Sequence, residues 1–302
     1  MYRRTGSFSN IHLDFFPQTA INWRRNILVS YEIGVMEQKQ LDKLKAWFGD
    51  YVARFYADDE YVNANLKLKE DHSHRTCEEM LFLAEQLGLD ANQKRLAEAT
   101  ALLHDVGRFK QFVKYRTYND PRSVDHCLLS IEVLRDEQTL EPMQDSEAEL
   151  IARAIEYHGR RELPEDLAGE VLLFSKLIRD ADKLDVFYVV INNYRQYRDK
   201  PDGFMLEVEL PDEPGYSSEV VQDILRGRRI DYHRLRTLND MKLLQLGWVY
   251  DVNFTVTLKR IKQRRYLEMM AEMLPDTEDI EKVRKSIFQY VDARIRREEN
   301  RV

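Results

Sequence analysis

From Met36 onward, apolar residues recur every three or four positions. Leu41, Leu44, Trp47, Phe48, Tyr51, Val52 and Phe55 fall on one stripe and predict an amphipathic helix. The same period returns over Glu78 to Leu87, with Gly88 as a C-cap, and over Gln93 to Val106, closed by Gly107. Arg108 to Arg122 is polar and aromatic without a period and reads as a loop. Ser123 to Glu137, Ser146 to His158 and Glu170 to Val190 predict three more helices, with Pro164 between the last two. Residues 198–216 contain Pro201, Gly203, Pro211, Pro214 and Gly215 and predict a linker. Its alternating run Phe204 to Leu210 has the pattern of a strand but no partner. Helices resume at Ser218, with the clearest turn at Pro275. The Met, Leu and Tyr stripes of 218–302 predict packing in a core or between copies, and Arg294 to Arg301 a solvated helix end. Residues 1–35 show no sustained period and predict a peripheral extension, unless Phe15, Phe16 and Trp23 pack it against the helices. Strand signals are too scarce for a sheet-based enzyme. The expected fold is all-α, with an N-terminal extension (1–35), a helical domain (36–200) and a C-terminal helical region (201–302) packed on it.

Composition adds three restrictions. A chain of 302 residues with 43% hydrophobic and 33% charged residues can build and cover a core. A net charge of −7 lacks the basic footprint of a nucleic-acid binder, so no nucleic-acid polymer is expected as partner. No apolar run is long enough for a membrane span and no secretory signal is visible, so a cytoplasmic protein is expected. Cys77 and Cys127, 50 residues apart, form neither a disulfide framework nor a zinc-type pair and read as buried thiols.

The chemistry-bearing residues cluster. Of the seven histidines, five (His72, His74, His104, His126, His158) lie between positions 72 and 158. His104 is followed by Asp105, and Asp182 sits on the next predicted helix. The series His72, His104, Asp105, His126, His158, Asp182 has spacings of 32, 1, 21, 32 and 24, so after the pair each step is about one helix and one loop. Imidazole with carboxylate suits Mn, Fe, Ni or Zn. A His-Asp pair on a helix points its side chains about 100° apart. The histidine can then serve one ion while the carboxylate bridges to a second, roughly 3.5–4 Å away. A lone histidine on a helix is more often packed than ligating, and a single His-Asp pair is weak. The ordered series is what carries weight. His74, two residues from His72, points to nearly the opposite side of a helix. His12 and His233 read as ordinary surface or core residues.

Three strings, Asp71-His72-Ser73-His74-Arg75-Thr76, Leu102-Leu103-His104-Asp105-Val106-Gly107 and Arg179-Asp180-Ala181-Asp182-Lys183-Leu184-Asp185, resemble the HD-domain metal-dependent phosphohydrolase superfamily. The resemblance covers residues from about 40 to 200 and implies a helical bundle with His72, His104, Asp105 and Asp182 as metal ligands. His72 is favoured over His74 because Arg75 completes the family's His-x-x-Arg only from there. Asp125-His126 and Tyr157-His158 stand where one branch of the superfamily adds two histidines. The resemblance therefore implies a dinuclear centre of two divalent transition-metal ions. The cyclic dinucleotide phosphodiesterase branch is not matched: Arg108 stands in place of its lysine, Gly159 follows His158, and Gly-Tyr-Pro is absent.

Arg108, Lys110 and Lys183 flank these positions. Arg108 and Lys183 are the candidates for binding a phosphorylated small substrate and assisting at Asp105, with Arg108 bending back over the metals from a mobile loop. Against this, Arg108 reads equally as a salt-bridged surface arginine, and Lys183 as a partner of Asp185. The loop Tyr115 to Ser123 is either a substrate rim or a plain connector. The expected activity is hydrolysis of a phosphate ester or phosphoanhydride, nucleotides included, by a metal-activated water. The alternatives are a dinuclear-iron oxygenase on the same ligands and a regulatory phosphate-ligand binder. The sequence assigns neither a substrate nor an oligomeric state.

Overall fold

The computed structural model describes residues 34–199 and 210–300, and every regular element among them is helical. The expectations for residues 1–33, and for the strand-like run up to residue 209, lie outside the described residues. In chain order the helices are α1 (Gln38–Ala53), α2 (Glu60–Gln86), α3 (Ala91–Leu103), α4 (Gly107–Tyr115), α5 (His126–Asp136), α6 (Asp145–His158), α7 (Gly169–Asp199), α8 (Ser218–Leu225), α9 (Leu238–Leu246), α10 (Thr255–Gln263), α11 (Tyr266–Ala271) and α12 (Glu278–Glu299).

The long helices α2 and α7 pack against each other, and α3 and α6 pack on α7. Asp59 starts α2 by accepting from Val62 N at 3.0 Å. Asp90 and Gln93 form a reciprocal capping box at the start of α3. Gly88 ends the preceding turn at φ +71°, a conformation that costs glycine nothing. Leu66, Met80, Leu83, Leu96, Phe174 and Leu177 of these helices are fully buried, as is Phe187, which packs on Trp248 and Tyr266. Each such side chain contributes about 1.5–3 kcal/mol when withdrawn from water. A second cluster joins Phe48, Tyr51 and Phe55 of α1 and its C-terminal turn to Phe109 of α4, with ring centroids 5.0–6.3 Å apart.

Phe109 belongs to a helix where the sequence predicts a loop. Residues 107–115 form α4, because Phe109 and Phe112 lie three apart on one face and both are wholly buried. Two apolar contacts are too few to register as a period over nine residues. Gly107 accordingly opens α4 rather than closing α3. A Cβ there would lie 2.6 Å from Ser130 N and 2.9 Å from His126 O, so only glycine lets α4 approach α5 this closely. Three boundaries also shift: α2 begins at Glu60, not Glu78, α5 at His126, not Ser123, and α7 runs on to Asp199. Residues 198–199 are therefore helical, and the irregular stretch is described from Leu210.

The C-terminal region is more broken than one turn at Pro275 predicts, with 3-10 turns at Tyr232–Arg234 and Gly247–Asp251. Its apolar stripe Ile280, Val283, Ile287 and Val291 on α12 is buried within the chain. Polar grips hold it to the preceding helices, two of them centred on buried acids. Glu79 of α2 pairs with Arg260 at 3.3 Å and with Arg264. Asp180 of α7, itself fully buried, accepts from Asn253 N, Asn253 Nδ2, Phe254 N and Thr257 Oγ1 at 2.7–3.1 Å. The aspartate thus caps the start of α10 from another helix. No helix among the described residues is long and apolar enough to cross a membrane.

Candidate metal centre

His72 lies mid-way along α2, His104 and Asp105 at the C-terminal end of α3, His126 at the first position of α5, His158 at the last of α6, and Asp182 on α7. The bundle brings all six together. His72 Nε2 lies 3.2 Å from His104 Nε2 and 3.2 Å from Asp182 Oδ1. His126 Nε2 lies 3.1 Å from His158 Nε2. Asp105 stands between the two groups. Its Oδ2 faces His72 and His104 at 3.5 and 3.6 Å, and its Oδ1 faces His126 and His158 at 3.7 and 3.9 Å.

All four imidazoles are turned the same way. His72 Nδ1 donates to Asp185 Oδ2 (2.6 Å), His104 Nδ1 to Ala101 O (2.7 Å), His126 Nδ1 to Asp120 Oδ2 (2.5 Å) and His158 Nδ1 to Ile155 O (2.6 Å). The carbonyls used by His104 and His158 lie three residues back, in the last turn of their helices, where carbonyls lack intrahelical donors. With each Nδ1–H committed outward, each Nε2 presents its lone pair inward. This is the outer-shell arrangement that orients metal-ligating histidines.

Pairs of acceptor nitrogens only 3.1–3.2 Å apart repel unless a proton or a cation lies between them. Donors held about 2.0–2.2 Å from one ion lie about 3.3 Å apart, so the spacings within each group fit a divalent transition metal. In the metal-free chain a proton fills that place at His72. Burial and the nearby Lys69 oppose protonation, but bonds to Asp105, Asp182 and Asp185 outweigh them and push His72 up to about 10. His104 goes the other way, pushed down to about 3 chiefly by burial. Asp105 resists the upward push of burial and is held well below the usual carboxylate range by Lys69, His104 and Arg108. The Asp182 side chain keeps 28% exposure while that of Asp105 keeps 3%, so the centre opens on the Asp182 side.

The flanking residues differ from the sequence reading in two ways. Arg108 sits in the first turn of α4, not on a mobile loop. Its Nη1 donates to Gln111 Oε1, Tyr118 O and Asp120 Oδ1 at 2.6–2.8 Å, and its Nε lies 3.5 Å from Asp105 Oδ1. Lys183 pairs with Asp251 at 2.9 Å rather than with Asp185, and shares that carboxylate with Arg179 and Arg229. Burial pushes the Lys183 amine down to about 8. Lys110 remains on α4, while His74 is exposed, edge-on to Phe48, with no part in either group. His233 is exposed.

Four contributors escape sequence reasoning. Lys69 donates to Asp105 Oδ2 at 2.8 Å, and it lies three residues before His72 on the same helix face. Asp185, three after Asp182, accepts from His72 and from Arg75 Nε at 2.5 Å. Both carried a signal in their helical spacing. Asp120 reaches His126 from the Tyr115–Ser123 loop, which shows that loop to be part of the site's frame. Cys127 lies with its Sγ 3.4 Å from His126 Nε2, and nothing in the spacing of two cysteines indicates it.

A helical bundle that gathers four imidazoles around one carboxylate defines a class, an α-helical protein whose buried donors could hold metal ions. A model of the HD domain family matches residues 72–186, a span that starts on His72 and ends just beyond Asp182, and supports placing the chain with the HD-domain superfamily. Neither the curated proteins nor the solved structures provide a match.

Proposed function

We propose that the protein is a metal-dependent phosphohydrolase that holds two divalent transition-metal ions, one through His72, His104, Asp105 and Asp182 and the other through Asp105, His126 and His158. The observation that carries this reading is the two-sided Asp105, each of whose oxygens faces a different histidine pair. Bound there, the ions supply an acidified water and positive charge for phosphoryl oxygens. Their charge exceeds that of the two carboxylates, which favours an anionic substrate.

The chain's own residues orient and exclude. Asp185 and Asp120 fix the imidazole tautomers, Lys69 and Arg108 hold Asp105 ionised, and the buried rings keep bulk water from all but the Asp182 side. Arg108 and Lys183 flank the opening as phosphate contacts, a role that requires each to exchange a present carboxylate partner for substrate. Gel-filtered protein loaded with Mn, Ni, Fe or Zn is to be assayed on phosphate monoesters, diesters and nucleotides alongside its metal content. Two ions per chain with turnover lost in both His126→Ala and His158→Ala supports the reading. One ion at saturation with undiminished variants refutes the dinuclear form. A mixed-valence iron signal with oxygen consumption and no hydrolysis replaces it with the oxygenase.

A further inference from the structure

A cavity of about 480 Å3 lies apart from the metal centre, between the C-terminal half of α7, the start of α9 and the turn that follows α11. Its volume is that of a small-molecule site. Tyr194, on its wall, stands twelve residues beyond Asp182 on α7, about 18 Å along the helix. Lys242 lines the cavity and is nine-tenths buried. Its Nζ donates to Asn239 Oδ1 and Met273 O, both at 3.1 Å, and lies 5.5 Å from the centre of the Tyr194 ring. An ammonium has three N–H donors, and both of these acceptors are neutral. No carboxylate among the described residues lies within ion-pair reach of it. Burial pushes the Lys242 amine down, and only the more distant Asp212 opposes that push. A buried charge without a counter-ion is costly, and a methionine would pack the same wall without that cost.

The exposed end of the cavity has the opposite sign. Asp212, to which the Tyr197 hydroxyl donates, and Glu272 are both exposed there. Arg198, also exposed, is turned to Asp199 at 3.1 Å. Leu238 and Leu274 add apolar wall. We infer that this cavity is a binding site for a small zwitterion with an apolar body, whose carboxylate meets Lys242 and whose ammonium faces Asp212 and Glu272. The carboxylate supplies the counter-ion that Lys242 lacks and takes its third N–H. The acidic mouth works against a dianion. The site therefore selects against the phosphorylated molecules that suit the metal centre, and the two sites differ in the chemistry they admit.

The test is calorimetric titration of the full chain with two zwitterions of different span, phenylalanine and 6-aminohexanoate. Each is paired with relatives that lack one charge: 3-phenylpropanoate and phenethylamine, hexanoate and hexylamine. Inorganic phosphate is the dianion control. At least one zwitterion binds tighter than both of its singly charged relatives, and phosphate does not displace it. Lys242→Met weakens that zwitterion by about tenfold or more, the worth of a charge-assisted hydrogen bond. The double variant Asp212→Asn with Glu272→Gln, both on the surface, brings the zwitterion level with its carboxylate relative. No binding of either zwitterion overturns the site. Equal affinity in a folded Lys242→Met protein, or phosphate binding tighter than both zwitterions, overturns it as well. Should Lys242→Met not fold, the double variant decides: an undiminished preference for the zwitterion over the carboxylate overturns the role given to the mouth and with it the proposal.

Discussion

Asp185→Asn removes a charge from beneath the metal centre without changing the side chain's volume. Asp185 is all but buried and accepts three bonds, from His72 Nδ1 at 2.6 Å and from Arg75 Nε and Nη2 at 2.5 and 3.0 Å. All three partners are donors. Asparagine brings one acceptor and one NH2, so a donor must meet a donor. If the NH2 faces Arg75, which is about one-third exposed, the guanidinium swings to water and His72 keeps its tautomer, bonded now to a neutral carbonyl. If the NH2 faces His72, the imidazole must flip its proton to Nε2, the atom that faces His104 and Asp182. Either course lowers the basicity of His72. Loss of such an outer-shell carboxylate costs about 10–100-fold in metal affinity, or about 1.4–2.7 kcal/mol. The assay is competition against a chromophoric chelator for the tighter ion, with the thermal midpoint of the metal-free variant as the control for folding. A folded variant whose affinity lies within twofold of wild type would refute the role given to Asp185.

Three further outcomes follow from the same geometry. Lys69→Met leaves Asp105 without its ammonium at 2.8 Å, so the metal-free protein should lose about 1–3 kcal/mol, and metal should restore more of it than in wild type. Equal melting curves without metal would count against this. Asp180→Ala strips four donors of α10 and its approach of a charged acceptor and should cost about 3 kcal/mol or more, read as earlier unfolding and faster proteolysis of residues 210–300. An unchanged midpoint would show that the cap is incidental. Metal uptake should release a proton near neutral pH and strengthen up to about pH 10, because His72 is protonated below that value in the free protein and must be neutral to ligate. The sign is that of a raised pKa: the protonated imidazole stabilises the free form below its unfolded value, and that contribution is lost as pH rises through about 10. Calorimetry in buffers of different ionisation enthalpy measures the proton.

The helical nature of the chain was legible because the apolar stripes that pack α1, α3, α6 and α7 repeat at the helical period over ten or more residues. α4 was not, since Phe109 and Phe112 are its only buried large apolar side chains, while Gln111 is buried as well and Val113 is exposed. The six donors were legible as a spaced series, whereas the side chains that aim them were not. Lys69 and Asp185 share helix faces with His72 and Asp182 and are recoverable from spacing. Asp120, Asp251 and Cys127 are not, because a loop, a distant 3-10 turn and a helix start bring them in through tertiary packing. The pairing of Lys183 with Asp185, one of its two readings, failed for that reason: Asp185 is nearer in sequence, but Asp251 is nearer in space.

Three aspartates of α7, Asp180, Asp182 and Asp185, bear on how the chain can be dissected. Asp180 grips the beginning of α10, Asp182 faces the histidines, and Asp185 steadies His72, all within six residues of one helix. The stretch that carries the family pattern, residues 72–186, therefore includes near its end a side chain, Asp180, whose first partner lies 73 residues later. A fragment cut at the end of α7 would leave Asp180 without its four donors and Glu79 without its arginines. The metal-binding helices are thus not a portable cassette: grafted or expressed alone, they need a substitute for α10 before the carboxylate two residues further on can hold its place.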